Sequence, residues 1–290
     1  MPNCIPMKKK TMLIMLFSIL FHALHIEAQE TIYSKEDSIF IEKILAKHPL
    51  SKYACRGERA VAIAKEFIGT DYVAGTLDRH HGEPLFVSTT ELDCTTLVEL
   101  VTAMAICNDD DASFKSVCRN IERLRYRNGI HCGYESRLHY ISWWIDDSAK
   151  IGVIEEIHSD MHTGKQRLEL CYMSRNSDKY AMLKNNPELV NRIAEFEKPY
   201  RGKSVSYIPE ELTGTEKAKE VIKEGDIIAI ATDVEGLDVT HVGIACLVEG
   251  ELHMIHASSG KRAVVLDTVP LCLYLAKNKR HVGVRVFRIQ

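Results

Sequence analysis

The sequence lacks the surplus of basic residues that nucleic-acid binding requires. Its 290 residues include 37 Lys and Arg against 40 Asp and Glu, which gives a formal net charge of −3. Because there is no basic field to attract phosphate groups, we expect no nucleic-acid partner. Internal repeats and low-complexity tracts are also missing, and a hydrophobic content of 46% is ordinary for a globular chain with a buried core.

The cysteines lack any metal-binding pattern. All nine occur singly, without a CxxC pair or a zinc-like spacing, so we expect no metal site. A chain of this length does not need disulfides to be stable, even where the surroundings would permit them. Four cysteines lie within apolar patterns and are expected in the core: Cys107, Cys118, Cys246 and Cys272.

The one long apolar run lies at the N-terminus. A basic stretch, "MKKK" (7–10), precedes the apolar run 11–24, which is too short to span a bilayer comfortably, and Ala28 before Gln29 suits a cleavage site. This pattern predicts a signal peptide over residues 1–28 and export of the mature chain to the periplasm. No cysteine lies directly after the apolar run, where a lipid could be attached, so we expect no stable membrane anchor after cleavage.

Helical patterns dominate the first part of the mature chain, and strand patterns dominate the last part. Apolar residues recur at helical spacing between residues 34 and 127, whereas 216–290 contains successive strands and one short helix. From about 128 to 215 the pattern is irregular, with short strands and polar loops. This order predicts an α+β fold and a single domain over 29–290, with a helical lobe, a long middle insertion and a central antiparallel sheet.

Cys94 differs from the other cysteines because it lies at the start of a helix. In "ELDCTTLVELVTAM", Leu97, Leu100, Val101 and Met104 recur at helical spacing after the cysteine. The free N–H groups of a helix N-terminus lower the pKa of a thiol, and they can hold an oxyanion during acyl transfer. This position predicts a nucleophile, provided that a base lies nearby.

Two histidines are predicted to share one face of a β-hairpin. In "THVGIACLVEGELHMIHASSG", a two-residue turn at Glu249 and Gly250 would place His256 opposite Gly243. His241 lies on the same face as Gly243, so the two imidazoles become diagonal neighbours, about 7–8 Å apart at the backbone. A metal site is the other option, but two histidines without a carboxylate on that face make a poor zinc site. We therefore interpret the pair as partners of a cysteine nucleophile.

The segment "SRLHYISWWIDD" (136–147) contains both tryptophans of the chain. Paired indole rings can stack on a sugar, although tryptophans more often fill a core. Trp143 and Trp144 are therefore candidates for substrate binding, with a place in the core as the alternative. Arg137, in the same segment, is a third candidate.

Four motifs, "LDCTTLVE", "EGDIIAI", "THVGIA" and "MIHAS", together resemble the NlpC-type cell-wall cysteine peptidases. In that family the nucleophile opens a helix, and two histidines lie on adjacent strands of a papain-like core. The resemblance implies a catalytic domain in which Cys94 is the nucleophile, His241 the general base and His256 the group that orients it, with no metal and no cofactor. "GTDYVAGT" (69–76) is similar to an upstream motif whose tyrosine lines the active site, which implies that role for Tyr72.

One departure from the family pattern narrows the resemblance. Most members have Ser and Gly after the cysteine, where this chain has Thr95 and Thr96. "LDCTT", the long middle segment and "SRLHYISWW" are similar to the N-acetylmuramoyl-L-alanine amidase-like branch. That branch implies hydrolysis, through a thioester, of the amide between the lactyl group of muramic acid and the first L-Ala in peptidoglycan fragments (muramyl peptides).

The residues beside the nucleophile leave alternatives open. Asp93 could cap the helix or bind a free amine of the substrate, and Thr95 is a further candidate for substrate binding. If Asp93 binds the amino terminus of L-Ala, the chain would instead be a γ-D-glutamyl–diamino acid endopeptidase acting on stem peptides. An inactive wall-binding module is disfavoured because nucleophile and base are both present. The resemblance also implies that the Cys94 N–H, with Tyr72, stabilises the oxyanion.

Overall fold

The structure, a computed structural model, describes residues 30–80 and 82–290. The predicted signal peptide, residues 1–28, lies outside the described residues. Within the described ranges, no helix is long and apolar enough to cross a membrane. The eight cysteines of this part of the chain are all free.

Helices and very short strands alternate along the first two thirds of the chain, and the long strands follow. In the described residues the α-helices are α1 (Lys35–Lys47), α2 (Arg56–Lys65), α3 (Cys94–Ala105), α4 (Phe114–Arg125), α5 (Ile141–Lys150), α6 (Tyr172–Arg175), α7 (Pro187–Glu197), α8 (Glu216–Val221) and α9 (Leu271–Ala276). The strands are β1 (Thr31–Ile32), β2 (Asp71–Tyr72), β3 (Leu85–Phe86), β4 (Glu91–Leu92), β5 (Ile154–Glu156), β6 (Gly164–Arg167), β7 (Ser204–Pro209), β8 (Ile227–Thr232), β9 (Val239–Val248), β10 (Glu251–Ser258), β11 (Ala263–Leu266) and β12 (His281–Ile289). The predicted α+β class is confirmed.

A ten-stranded sheet lies at the centre of the described chain. Its path is β4–β2–β11–β10–β9–β8–β12–β7–β6, and β5 also pairs with β12. The central strands pair antiparallel, as predicted, whereas β2 and β4 pair in parallel at one edge, so the sheet is mixed. The sequence did not predict this parallel pair because each of its strands has two residues, too few for an alternating pattern.

Both faces of the sheet are covered, so its central strands are buried on each side. In β8, Ile227 and Ala229 belong to one hydrophobic core, whereas Ile228 and Ile230 belong to a second. The first core packs the sheet against α2, α3 and α4, and the second lies beneath α8 and α9. Because successive side chains of a strand point to opposite faces, one strand contributes to both cores.

A local sequence signal determines where α1 starts, whereas a contact with the sheet determines where the chain turns after α2. Ser34 and Asp37 form a capping box at the start of α1, with Ser34 Oγ accepting the Asp37 N–H at 3.0 Å. The sequence predicts that α2 ends at Gly69, but it ends at Lys65. Gly69 has a φ of +94° and donates its N–H to the Val264 carbonyl of β11 at 2.9 Å, so it turns the chain onto the sheet instead.

The middle segment is more regular than the sequence predicts, because it contains α5 and α7. Tyr140 precedes α5 and provides no side-chain cap, so the local sequence carries no start signal. The cap comes instead from Asp238, whose Oδ2 accepts the Ser142 N–H at 2.6 Å. A cap supplied by a residue so distant in the chain cannot be predicted from a local pattern.

Candidate active site

Cys94 is the first residue of α3, as predicted. Asp93 caps this helix, since its Oδ1 accepts the Thr96 N–H at 2.8 Å while Thr96 Oγ1 accepts the Asp93 N–H at 2.9 Å. This reciprocal capping box gives a structural role to one of the two threonines that follow the cysteine. Of the two roles considered for Asp93, the structure therefore supplies the capping one.

The sulfur of Cys94 lies where α3 meets β9. The residue is half-buried, and the Val242 backbone and both the hydroxyl and the backbone of Thr95 hydrogen-bond to the sulfur. Burial, and after it the charge of Asp93, raise the pKa of the Cys94 thiol to about 11. The lowered thiol pKa expected at a helix N-terminus is therefore wrong, because burial and the Asp93 carboxylate outweigh the hydrogen bonds to the sulfur.

The hairpin of β9 and β10 has the predicted register. Glu249 and Gly250 form its turn with φ values of +52° and +83°, and Glu251 pairs with Val248. Positive φ at both turn residues is typical of a tight two-residue hairpin. The register places both active-site histidines on one face, and Nε2 of His241 lies 2.6 Å from Nδ1 of His256.

Asp267 extends this contact and was missed in the sequence. Its Oδ2 lies 3.3 Å from Nε2 of His256, and its Oδ1 accepts the Val269 N–H at 3.1 Å. A signal was present, because Val265 pairs with His256, and Asp267, two residues further, shares the face of His256. The register of β10 and β11 thus indicates this carboxylate from the sequence.

The contacts determine which imidazole nitrogens carry protons. Burial raises the pKa of Asp267, but hydrogen bonds from Val269 and His256 lower it overall, so the group is a carboxylate that only accepts hydrogen bonds. His256 therefore donates from Nε2 and accepts at Nδ1. His241 donates its Nε2–H to that nitrogen, which leaves its own Nδ1 unprotonated and able to act as a base.

Burial keeps both imidazoles neutral. It lowers the pKa of His241 to about 3, and the charges of His256 and His281 act in the same direction. Burial also lowers the pKa of His256, although Asp267 opposes that shift. At neutral pH the resting site therefore combines a neutral imidazole with a protonated thiol, not an ion pair.

A cleft of about 440 Å³ opens beside His241. Tyr274 forms part of its wall, with its ring centroid 6.3 Å from that of His241 and 5.2 Å from that of His256. Burial, followed by the charges of Asp267 and Cys94, raises the pKa of Tyr274 to about 12, so this phenol lies near both ends of the site. The residues that line the cleft are Thr240, His241, Ser258, Ser259, Gly260, Lys261, Asp267, Tyr274, Lys277, Asn278 and His281.

Three of the predicted substrate-binding residues lie beside Cys94. Thr95 hydrogen-bonds the Cys94 sulfur, and Asp93 immediately precedes it. Burial, and then the charges of Cys94 and Asp93, raise the pKa of Tyr72, which places its phenol close to the same sulfur. These three residues therefore lie beside Cys94, and their binding of substrate stays a prediction.

The other three predicted substrate-binding residues lie away from the cleft, and that prediction is wrong for them. Trp143 and Trp144 are 1% and 2% exposed and pack in the first hydrophobic core, the alternative considered for them. Arg137 is 7% exposed and binds Glu83 at 2.7 and 2.8 Å and Asp78 at 2.9 Å. Its guanidinium is thus occupied by a buried ion-pair network.

The layout of the site is typical of enzymes that combine a cysteine nucleophile with a histidine base. The Cys94 thiol begins a helix, His241 lies on the strand packed against that helix, and His256 and Asp267 continue the series of contacts from His241. Among residues 30–80 and 82–290, no three His, Cys, Asp or Glu side chains are grouped so that they could hold a metal ion.

The model of the AmiA-like family, described as N-acetylmuramoyl-L-alanine amidase-like, matches residues 62–284. The chain therefore belongs to the N-acetylmuramoyl-L-alanine amidase-like family, which confirms the branch indicated by "LDCTT". The match contains Cys94, both active-site histidines and Asp267. No curated protein matches the chain.

The chain is also similar to several solved structures. An N-acetylmuramoyl-L-alanine amidase from Bacteroides uniformis ATCC 8492 is 36% identical with a TM-score of 0.78, and the match covers 81% of this chain and 99% of that one. A Bacteroides fragilis protein described as a xylanase is 42% identical with a TM-score of 0.75, and the match covers 78% of this chain and 98% of that one. A Legionella pneumophila protein of the DUF1460 family is 21% identical with a TM-score of 0.65, covering 88% and 94%, and shows the fold alone.

Proposed function

We propose that the chain is a cysteine-dependent amidase that hydrolyses the N-acetylmuramoyl–L-alanine bond of peptidoglycan fragments. The observation that carries the proposal is the series of contacts from Asp267 through His256 to His241, which directly precedes Val242, the residue whose backbone hydrogen-bonds the Cys94 sulfur. Membership of the family and the 36% identical Bacteroides uniformis amidase support the substrate class. A thiol on a helix and an imidazole on the adjoining strand also fit the papain-like core that the motifs imply.

Acylation starts from neutral groups. The Cys94 sulfur attacks the lactyl carbonyl carbon while its proton moves to Nδ1 of His241, so that a C–S bond forms and the carbonyl electron pair moves to oxygen. When this oxyanion collapses, the C–N bond breaks and the imidazolium gives its proton to the departing alanine nitrogen. The products of this half-reaction are a thioester on Cys94 and a peptide with a free amine.

Deacylation restores the thiol. Nδ1 of His241 takes a proton from water as the water oxygen attacks the thioester carbonyl carbon. The C–S bond then breaks, and the thiolate of Cys94 receives that proton from the imidazolium. The lactyl carboxylic acid leaves, and one water molecule has been consumed without a cofactor.

Two groups could stabilise the oxyanion. The N–H of Cys94 occupies the first position of α3, where a helix offers no internal partner for it. Burial raises the pKa of Tyr72, so its phenol keeps its proton at neutral pH and can donate a hydrogen bond. These donors would act on the side of the nucleophile that faces Tyr72.

A γ-D-glutamyl–diamino acid endopeptidase is the alternative, and it would use Asp93 to bind the free amine of L-Ala. The capping bond from Thr96 to Asp93 occupies one carboxylate oxygen and weakens this alternative. Both activities would use the same nucleophile and base. Only the identity of the products therefore separates them.

Mass spectrometry of digested, defined muramyl tripeptides and free stem tripeptides tests the proposal. We expect wild type to release the intact peptide from muramic acid and to leave the free stem peptide whole. Cys94→Ala should be inactive, while Cys55→Ala, which removes an exposed thiol far along the chain, should keep full activity. Splitting after D-Glu would establish the endopeptidase and overturn the amidase.

The Bacteroides fragilis relative described as a xylanase raises the question of glycoside hydrolysis. Glycosidases commonly use two carboxyl groups about 5–10 Å apart. Of the described residues that line the cleft, Asp267 alone is a carboxylate, and its two oxygens bind His256 and Val269. The geometry therefore favours an amide substrate, and incubation with xylan should release no reducing sugar.

We further propose that the chain acts outside the cytoplasm, since residues 1–28 have the pattern of a signal peptide. N-terminal sequencing of protein recovered from the periplasm should give a chain that begins at Gln29. Recovery of the full-length chain in the cytoplasm alone would overturn this proposal.

A further inference from the structure

The proposed reaction determines which half of the substrate lies on each side of the base. The imidazole that takes the thiol proton must give it to the departing nitrogen, so the leaving group must lie within hydrogen-bond reach of His241. In a muramyl peptide this leaving group is the stem peptide. The cleft of about 440 Å³ that His241 lines is therefore the peptide side, and the acyl half belongs on the side of Tyr72.

The lining of this cleft favours an anion. Lys261 and Lys277 contribute two ammonium groups, and neither forms an ion pair with a carboxylate of the described residues. The lining carboxylate, Asp267, is 4% exposed and already bound by His256. Because the whole chain has a formal net charge of −3, this positive lining is a local property of the cleft.

Lys261 lies close enough to act on the catalytic groups. Its charge lowers the pKa of both His256 and Asp267, so its ammonium group is within electrostatic range of the floor of the cleft. Thr240 adds an unused polar group, since its Oγ1 is buried and has no hydrogen-bond partner among residues 30–80 and 82–290. A peptide N–H or carbonyl in the cleft would give that hydroxyl a partner.

We propose that this cleft binds the departing stem peptide and that Lys261 and Lys277 recognise the free α-carboxylate of its D-Glu residue. The inference rests on the proposed function, because the leaving group is a stem peptide only if the lactyl–alanine amide is the bond that breaks. D-Glu is linked onward through its side-chain carboxyl, so its α-carboxylate keeps a charge. This α-carboxylate belongs to the second residue of the leaving peptide, so it lies within two residue lengths of about 3.3–3.6 Å each from the scissile nitrogen. It is the first anion beyond that nitrogen.

A matched pair of substrates tests the assignment. MurNAc–L-Ala–γ-D-Glu–L-Lys and its α-amide, which contains D-isoglutamine, differ only in the proposed recognition group. We expect wild type to cleave the acid with a kcat/KM at least tenfold above that of the amide, chiefly through KM. In the double variant Lys261→Gln/Lys277→Gln, the kcat/KM values for the two substrates should agree within about twofold, because the selectivity for the charged substrate is lost. Lys43→Gln, on the exposed side of α1, is the matched control and should keep the wild-type preference.

The outcomes separate the two proposals. If wild type cleaves both substrates equally, or the double variant keeps the preference for the acid, the amidase stands and the carboxylate site is overturned. If neither substrate is cleaved, the proposed function fails. Calorimetry of Cys94→Ala with the two free tripeptides then tests the carboxylate site directly. Tighter binding of the acid would support the site, and equal binding of acid and amide would overturn it.

Discussion

Nε2 of His241 lies 2.6 Å from Nδ1 of His256, although the two residues come from different strands of the hairpin. Because His256 also donates to Asp267 from its other nitrogen, this contact has one direction, with His241 as donor. The lone pair of His241 is therefore on Nδ1. The identity of the basic nitrogen thus depends on a carboxylate that is two groups away from it.

Asp267→Asn should reverse this order of protons. The amide N–H can donate to Nε2 of His256, so that His256 carries its proton on Nδ1 and donates it to Nε2 of His241. The proton of His241 then lies on Nδ1, which can no longer act as a base. We expect kcat to fall about 10²–10⁴-fold, the scale of a wrong tautomer in a catalytic triad. Steady-state kinetics measures the loss, and ¹⁵N NMR of the histidines identifies the tautomer. A normal kcat with the tautomers reversed would disprove this role.

The matched control acts on the neighbouring position. In His256→Gln the side-chain oxygen can still accept the Nε2–H of His241, whereas His256→Ala offers no acceptor. The glutamine variant should therefore keep more of kcat than the alanine variant, at similar thermal stability. Equal losses in the two variants would show that His256 acts only by filling space.

Cys94 should alkylate slowly at neutral pH. With a thiol pKa of about 11, a fraction of only ~10⁻⁴ is ionised at pH 7. The rate constant for iodoacetamide should therefore rise about tenfold per pH unit between pH 7 and pH 10. Mass spectrometry of a Cys55→Ala/Cys132→Ala background, which removes the two exposed thiols, follows the reaction. A rate that is already level near pH 7 would contradict the raised pKa.

The buried imidazoles should make the fold less stable in acid. The pKa of His241 is about 3, and that of His256 is also lowered. Below about pH 6.5, where unfolded histidine titrates, the unfolded state binds protons that the folded state refuses, so the free energy of unfolding falls as pH falls toward 3. Urea denaturation at pH 7 and pH 5 measures the fall. In His256→Gln the free energy of unfolding should fall less between pH 7 and pH 5 than in wild type. A fall equal to that of wild type would be evidence against the lowered pKa of His256.

Arg137→Met should lower stability and leave substrate affinity unchanged. Removing one partner from a buried ion pair costs about 3–5 kcal/mol, and Arg137 is bound to Glu83 and Asp78 away from the cleft. The control is Arg119→Met, which breaks an exposed pair with Asp111 and should cost less than about 1 kcal/mol. Chemical denaturation gives the stabilities. A raised KM with normal stability in Arg137→Met would restore a substrate-binding role.

The sequence predicted those parts of the site that depend on short-range patterns. Helical spacing after Cys94 located the start of α3, because apolar periodicity and the capping residue are both local. The turn at Glu249 and Gly250 determined the register of the hairpin, and strand alternation then carried His241 and His256 to one face. The same strand alternation, continued into β11, also places Asp267 on the face of His256.

Burial and contacts between distant segments were decided only by the tertiary structure. Whether Trp143 and Arg137 reach substrate depends on what packs over them, and the middle segment folds both into the interior. The thiol pKa of Cys94 likewise depends on the strand that covers the sulfur, since desolvation outweighs the favourable helix end. Residue spacing determines which face of an element a side chain occupies, but the exclusion of water from that side chain requires the rest of the fold.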